Sequence, residues 1–296
     1  MARILAVGTA ALDLVFSLEQ FPQEDADLRA LALRIGRGGN AANTLVVLSQ
    51  LGHACAFGAV LADGPDALPV LDDLARYNID LSACRRVGGR PPMSCVLLSM
   101  ETGTRTIVHY RDLPEYSDDD FRHVDLTPFD WLHFEGRDPT EMARMVYRVR
   151  EAGLASRCSL EVEKARRGIE AAFPDVAVLI FSRVYANHRG FDRPHPFLLR
   201  MREEAPRSDL VLSWGGEGAY GFDRRGEVSH SPAFVPAEVR ETLGAGDTFN
   251  AGLIDAYVRG LGLPEALRLG CRLAGKKCGQ VGFDTLGRPS GPETRR

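Results

Sequence analysis

Several classes of protein are excluded by what this chain lacks. Its 36 lysines and arginines are outnumbered by 40 acidic residues, for a formal net charge of −4, and basic residues gather only in short pairs such as Arg166-Arg167 and Lys276-Lys277. A nucleic-acid partner would need a basic face that this balance does not supply. The six cysteines, at 55, 84, 95, 158, 271 and 278, form no CxxC pair and no cluster with histidine at ligand spacing. Reduced thiols in a cytoplasm are the simplest account, with Cys271 and Cys278, on one face of an expected helix, packing as small hydrophobes. The seven histidines show neither HExxH nor paired spacing, so metal-dependent hydrolysis has no support. No apolar run is long enough to span a bilayer, and Asp13 interrupts the N-terminal one too early for an export signal. Gly8-Thr9-Ala10-Ala11, after the first apolar run, lacks the Gly-x-Gly-x-x-Gly turn of dinucleotide enzymes.

What is present is a hydrophobic content of 45% in 296 residues, enough for the core of one large α/β domain or two small ones. Short apolar runs at 4–7, 56–61, 131–134, 159–162, 178–181 and 210–214 read as buried strands. Helical patterns fall between them, at about 41–51 (ended by Gly52), 67–77 and 141–150. Such βαβα order predicts a mostly parallel sheet covered by helices on both faces, with the active site beyond the carboxyl ends of the strands. Two helices close the pattern, Asp247 to Arg259 and then, with Pro264 in its first turn, a helix to Cys278. Two regions break the rhythm: about 12–35, and a hairpin from Ser94–Ser99 through Glu101-Thr102-Gly103 to Arg105–Tyr110. These predict a small separate sheet that cannot bury both faces alone, and so should cover a substrate cleft and a second subunit. From Leu286 to Arg296 the composition turns to Gly, Pro, Ser, Thr and Arg, and a disordered tail is expected.

The most informative stretch is Glu241-Thr242-Leu243-Gly244-Ala245-Gly246-Asp247-Thr248-Phe249-Asn250-Ala251. A glycine-rich turn entering a helix leaves N–H donors for an anion, and a carboxylate in the same turn can take a proton from an attacking alcohol. Read alone, it is equally a capped loop-to-helix junction. Arg37-Gly38-Gly39-Asn40-Ala41-Ala42-Asn43 comes second, placing two amides on one face of a helical first turn, where they suit neighbouring sugar hydroxyls. By itself it is more simply a turn and an N-cap. Asp13 is a carboxylate in an otherwise apolar strand, either an edge residue or one facing substrate.

In this order and spacing the motifs resemble the ribokinase-like sugar kinases, and within them the ketohexokinases. The resemblance runs through Ala11-Leu12-Asp13, the Arg37–Asn43 motif, Arg105-Thr106-Ile107-Val108, Phe134-Glu135-Gly136-Arg137, Glu161-Val162-Glu163-Lys164, the opening of the penultimate helix and Ala274-Gly275-Lys276-Lys277-Cys278-Gly279. It implies one kinase domain over 1–296, a three-layer α/β/α ribokinase-like fold with a β-sheet lid (strands about 11–35 and 94–110) through which two subunits clasp. It implies ATP-dependent phosphorylation of a keto-sugar at its primary hydroxyl, most simply fructose to fructose 1-phosphate. Asp247 matches the catalytic base and Gly244, Ala245 and Gly246 the anion hole. Asp13, Gly39, Asn40 and Asn43 match sugar-binding positions, and Asp25 a lid carboxylate passed to the partner's site. Arg105 would meet nucleotide phosphates, and Gly215, Gly216, Glu217 and Gly218, after Trp214, would line the nucleotide.

Two departures matter. Gly215-Gly216-Glu217 stands where ketohexokinases tend to have an acidic pair, which leaves nucleotide preference open. Ser182-Arg183-Val184-Tyr185 replaces the Asn-x-x-Glu element that many ribokinase-like enzymes tie to magnesium. Mg2+ would then be held by ATP phosphates and water, with Glu163 or another acid only orienting the water and no protein ligand assigned. Arg137 and Lys164 are left between phosphate contacts and salt-bridged surface side chains. Other acceptors on the same scaffold, such as a ketodeoxy sugar acid, another sugar or a nucleoside, remain alternatives, as does a non-catalytic sugar-binding protein.

Overall fold

The unbroken apolar runs become strands buried on both faces of one sheet. The structure, a computed structural model, describes residues 1–287. In chain order the elements are β1 (Arg3–Val7), β2 (Ala11–Leu18), β3 (Ala32–Gly38), α1 (Asn40–Gln50), β4 (Ala54–Gly58), β5 (Val60–Ala62), α2 (Leu68–Arg76), β6 (Arg85–Val87), β7 (Met93–Ser99), β8 (Arg105–Tyr110) and α3 (Asp118–Phe121). They continue with β9 (Trp131–Glu135), α4 (Pro139–Glu151), β10 (Cys158–Val162), β11 (Val178–Ser182), α5 (Arg183–His188), α6 (Pro194–Glu204), β12 (Asp209–Ser213), β13 (Ala219–Phe222), β14 (Val228–Ser231), α7 (Ala245–Val258) and α8 (Leu263–Cys278).

The eight-stranded sheet runs β14-β13-β12-β11-β10-β9-β1-β4, parallel from β12 to β4 and antiparallel at the β13–β14 edge. Successive side chains leave a strand on opposite faces, and here each face has its own core. Leu5, Val7, Leu132, Phe134, Leu179, Phe181, Leu210 and Leu212 join α4 and α6 on one side. Their neighbours Ile4, Ala6, Trp131, Val178, Ile180 and Val211 join α1, α2, α7 and α8 on the other. The expected three layers are present.

The second sheet, β3-β2-β7-β8, stands apart as the off-rhythm strands predicted, with β2 and β7 parallel and both outer pairs antiparallel. Its register puts Asp13 beside Ser94 and Ser94 beside His109 on the face toward the cleft. On the other face Leu14, Ile35, Cys95 and Val108 form one row and Phe16, Leu33 and Leu97 another, with Leu33, Ile35 and Val108 exposed by half or more.

Three expectations need correction. The run 56–61 is not one strand: it breaks after Gly58, and β5 leaves the main sheet to pair with β6. The penultimate helix begins at Ala245 rather than Asp247, so Ala245 and Gly246 belong to its first turn. Leu286, assigned to the disordered tail, is 2% exposed against the α1 side of the core and donates its N–H to Gln50 Oε1 at 3.0 Å. A buried leucine contributes about 1.5–3 kcal/mol, enough to offset the ordering of a residue or two at about 1–2 kcal/mol each. The remainder of that tail, 288–296, lies outside the described residues.

Candidate active site

The carboxyl ends of five parallel strands open into one cleft of about 440 Å³, lined by Thr9 after β1, Glu135 ending β9, Glu161 and Glu163 on and after β10, Ser182 of β11 and Ser213 of β12. This is where an open parallel sheet is expected to bind ligand, beside the point where strand order reverses, here between β1 and β9. The lid closes the cleft with Asp13, Ser94, Arg105 and His109, and α7 supplies its floor through Gly244, Gly246, Asp247 and Asn250.

At the α7 end, Gly244 is the N-cap with φ +78°, in the left-handed region, and a Cβ there would run into the Phe283 ring. A larger residue is excluded both by backbone conformation and by space. The Ala245 N–H is engaged by the Thr242 carbonyl at 3.3 Å, and Ala245 does not line the cleft. Among the described residues the N–H groups of Gly244, Gly246 and Asp247 meet no acceptor. They are the orphan donors of a 14-residue helix, opening onto the cleft. Arg105 reaches from β8 to the same turn, donating to Thr242 Oγ1 at 2.7 Å.

Asp247 is 7% exposed. Burial pushes its carboxyl up to about 7; the hydrogen bond from Asn43 and the Arg37 charge pull it down, while Glu163 and Glu135 add to the rise. Asn43 Nδ2 donates to Asp247 Oδ2 at 2.6 Å, and Asn43 Oδ1 accepts from Arg37. Both ends of this amide are therefore taken up within the protein. Asn40 instead donates to Glu161 at 3.2 Å and to Glu163 at 3.3 Å, which turns its carbonyl oxygen outward as an acceptor. Glu161, held also by Asn250 at 2.9 Å, is raised well above the usual carboxylate range by burial and then by the charges of Asp247, Glu163 and Glu135. Burial likewise raises Asp13, against a hydrogen bond from Ser94 and the charges of Arg37 and Arg34.

The α1 end is built by Glu135. Its Oε2 accepts from the N–H of Thr9 at 2.9 Å and of Ala41 at 3.2 Å, satisfying the start of α1 from another strand. Gly39, the α1 N-cap, has φ +97°, and a Cβ would collide with the Thr9 carbonyl.

Orphan N–H donors, a buried carboxyl with raised proton affinity and a polar wall opposite them suit the transfer of a charged group to a hydroxyl. Residues 1–289 match the model of the pfkB family of carbohydrate kinases. The chain belongs to that family. It is a phosphotransferase with an alcohol group as acceptor, and its chemistry is that of an ATP-dependent sugar kinase. The carbohydrate kinase is 40% identical to ketohexokinase of Mus musculus over 96% of this chain and 98% of that protein. Its fold is shared with ribokinase of Arabidopsis thaliana complexed with ribose and ATP, at a TM-score of 0.79, 20% identity and coverage of 95% and 94% of the two chains. It is shared also with the Methanocaldococcus jannaschii nucleoside kinase, at 0.76, 18% identity and coverage of 96% and 94%.

Of the site residues read from the sequence, Asp13, Gly39, Asn40, Asn43, Arg105, Gly244, Gly246 and Asp247 come together in the kinase cleft. Asp25 does not: it lies exposed in the loop between β2 and β3, with φ +63°. Gly215, Gly216 and Glu217 form a turn after β12 and Gly218 follows, beside rather than within the lining. Arg137 is a salt-bridge residue, paired with Glu115 at 2.8 Å and Glu135 at 3.6 Å. Lys164 sits 3.8 Å from Glu163, half exposed. Cys271 is buried and Cys278 half-buried, as small hydrophobes would be. Among the described residues no helix is long and apolar enough to cross a membrane.

Sequence reasoning quoted Glu135, Glu161, Asn250 and Arg37 within its motifs but gave none of them a role. A signal for the first two was there: each is a carboxylate ending or interrupting an apolar strand run, as at Trp131–Glu135 and Cys158–Val162. Asn250 falls one helical turn after Asp247.

Proposed function

We propose that this carbohydrate kinase moves the γ-phosphoryl group of ATP to the primary hydroxyl of a keto-sugar, with fructose the first candidate acceptor. The reading is carried by one observation: Asp247, buried with its carboxyl raised to about 7, follows directly on orphan N–H donors in a shared cleft. The proton of the attacking hydroxyl passes to Asp247, the hydroxyl oxygen bonds to the γ-phosphorus, and the bond to the β-phosphate oxygen breaks to leave ADP. The N–H groups at the start of α7 take up the charge on the transferring oxygens. Asp13, the Asn40 carbonyl and the Gly39 turn hold the sugar, and Arg105 and the Gly215–Gly218 turn border the nucleotide. The ketohexokinase relative supports fructose.

Magnesium fits as a companion of the nucleotide. Among the described residues no three His, Cys, Asp or Glu side chains form a metal cluster, and Asn40 and Asn250 already occupy Glu161. The ion would be bound by phosphate oxygens and water, supplying charge neutralisation between the phosphates.

The exposed apolar rows of the lid support a homodimer clasped through that sheet, with Asp25 contributed to the partner's cleft. A cytoplasmic setting accords with six unpaired cysteines. Initial rates of ADP formation at fixed ATP across fructose, other keto-sugars, a ketodeoxy sugar acid and nucleosides test the acceptor. Fructose should give the highest kcat/KM. A nucleoside or sugar acid ahead of it would overturn the keto-sugar assignment and leave the kinase chemistry standing.

A further inference from the structure

Arg37 has no part in the phosphoryl transfer proposed above, yet it touches three parts of the site. It is 7% exposed at the end of β3. Its Nε donates to Asp73 Oδ2 of α2 at 2.6 Å, and a second guanidinium nitrogen donates to Asn43 Oδ1. Its plane lies over the Phe283 ring, 5.2 Å from the centroid, the same ring against which Gly244 is packed. Asn43 in turn holds Asp247 Oδ2 at 2.6 Å.

We propose that Arg37 is a positioning residue for phosphoryl transfer: through Asn43 it fixes the orientation of the Asp247 carboxylate, and its guanidinium sets a positive charge beside that carboxylate in an acid-rich cleft. The inference rests on Asp247 being the base. Fixing Oδ2 through Asn43 leaves Oδ1 for the proton of the attacking hydroxyl. The electrostatic half follows from what surrounds the base. Burial, Glu163 after β10 and Glu135 of β9 favour the neutral form of Asp247, and its charge in turn raises Glu161 of β10; the Asn43 hydrogen bond and then the Arg37 cation oppose that rise. A guanidinium suits the task because its rigid planar fork presents separate nitrogens to Asp73 and Asn43, whereas an ammonium offers a single one.

The test is the pH profile of kcat/KM for the sugar in Arg37→Met, Arg37→Lys and Asp247→Asn enzymes, with thermal melting of each. In Arg37→Met the acidic limb should move up by about one pH unit, so that the loss of activity is several-fold larger at pH 6.5 than at pH 9. Arg37→Lys keeps a charge but not the fork: its limb should stay within a few tenths of wild type while kcat falls, with sugar KM changed less than twofold. A loss in Arg37→Met that is the same at every pH would make Arg37 merely structural and overturn the inference. If Arg37→Met does not fold, Arg37→Lys decides alone, and wild-type kcat there overturns it. Asp247→Asn separates the two levels. Near-silence there with an unmoved limb in Arg37→Met sinks Arg37 alone, whereas wild-type turnover in Asp247→Asn removes the base assignment itself.

Discussion

Two glycines two residues apart, at the start of α7, should respond in opposite ways to the same added methyl group. Gly244 has φ +78°, and a Cβ on it meets the Phe283 ring. Alanine there costs about 1–2 kcal/mol for the left-handed backbone and about 1–3 kcal/mol for crowding an aromatic ring. A total of roughly 2–5 kcal/mol in a chain of this size lowers Tm by roughly 5–15 °C. Gly246 has ordinary helical φ and nothing within 4 Å of the added Cβ. Alanine there should leave Tm unchanged or slightly higher, because glycine within a helix is the poorer residue by roughly 0.5–1 kcal/mol. The open space around Gly246 is the cleft itself, so the methyl group stands where the proposed transfer brings a phosphoryl oxygen. Losing one such N–H contact costs on the order of 10²–10³ in kcat. The assays are thermal melting and ADP release with saturating sugar. A Gly246→Ala enzyme with wild-type kcat and wild-type KM for ATP would refute the idea that phosphate meets this backbone, and an unchanged Tm in Gly244→Ala would refute the packing account.

The other predictions concern charge. Asp247 has its carboxyl raised to about 7 in the folded protein against about 3.8 in the unfolded chain, so its burial is favourable while it is protonated and costs progressively more as pH rises between the two values. Asp247→Asn removes that cost. Its Tm relative to wild type should therefore increase from pH 5 to pH 8, by an amount corresponding to at most about 3 kcal/mol, and a constant difference across that range would contradict the raised carboxyl. Lys277 is fully buried, with Nζ 2.8 Å from Glu241 Oε2 and over the Phe283 ring. Lys277→Met leaves Glu241 to Arg34 and the Gly282 N–H, and should cost about 3–5 kcal/mol by melting. Adding Glu241→Gln should return part of that loss; a double variant no more stable than the single one would count against this pairing.

How much of this was visible in the sequence follows from which interactions are local. The βαβα rhythm gave the sheet and most helices because strands such as Val178–Ser182 are apolar on both faces and α4 keeps one apolar side. The lid was visible as strands without intervening helices. Other elements went unseen: β13 and the edge strand β14 have four residues each, β6 has three, and α6 begins with two prolines in its first three positions and has a weak apolar stripe. Leu286 carried no local signal, since its place is fixed by Gln50, 236 residues away. Within the site, the glycine turn and its aspartate were legible because one turn builds them. The roles of Asn43 and Arg37 were not, because each is defined by partners on other elements: Asp247 lies 204 residues from Asn43, and Asp73 lies on α2.

The central claim is that Asp247 takes the proton while the start of α7 takes the phosphoryl charge. Its most direct test is the rate of ADP formation with ATP and fructose in wild type and Asp247→Asn, alongside sugar binding measured by calorimetry. General-base catalysis contributes about 10²–10⁴, so kcat should fall by at least a hundredfold in the variant while the sugar Kd changes less than severalfold. Turnover within a factor of a few of wild type would contradict the account.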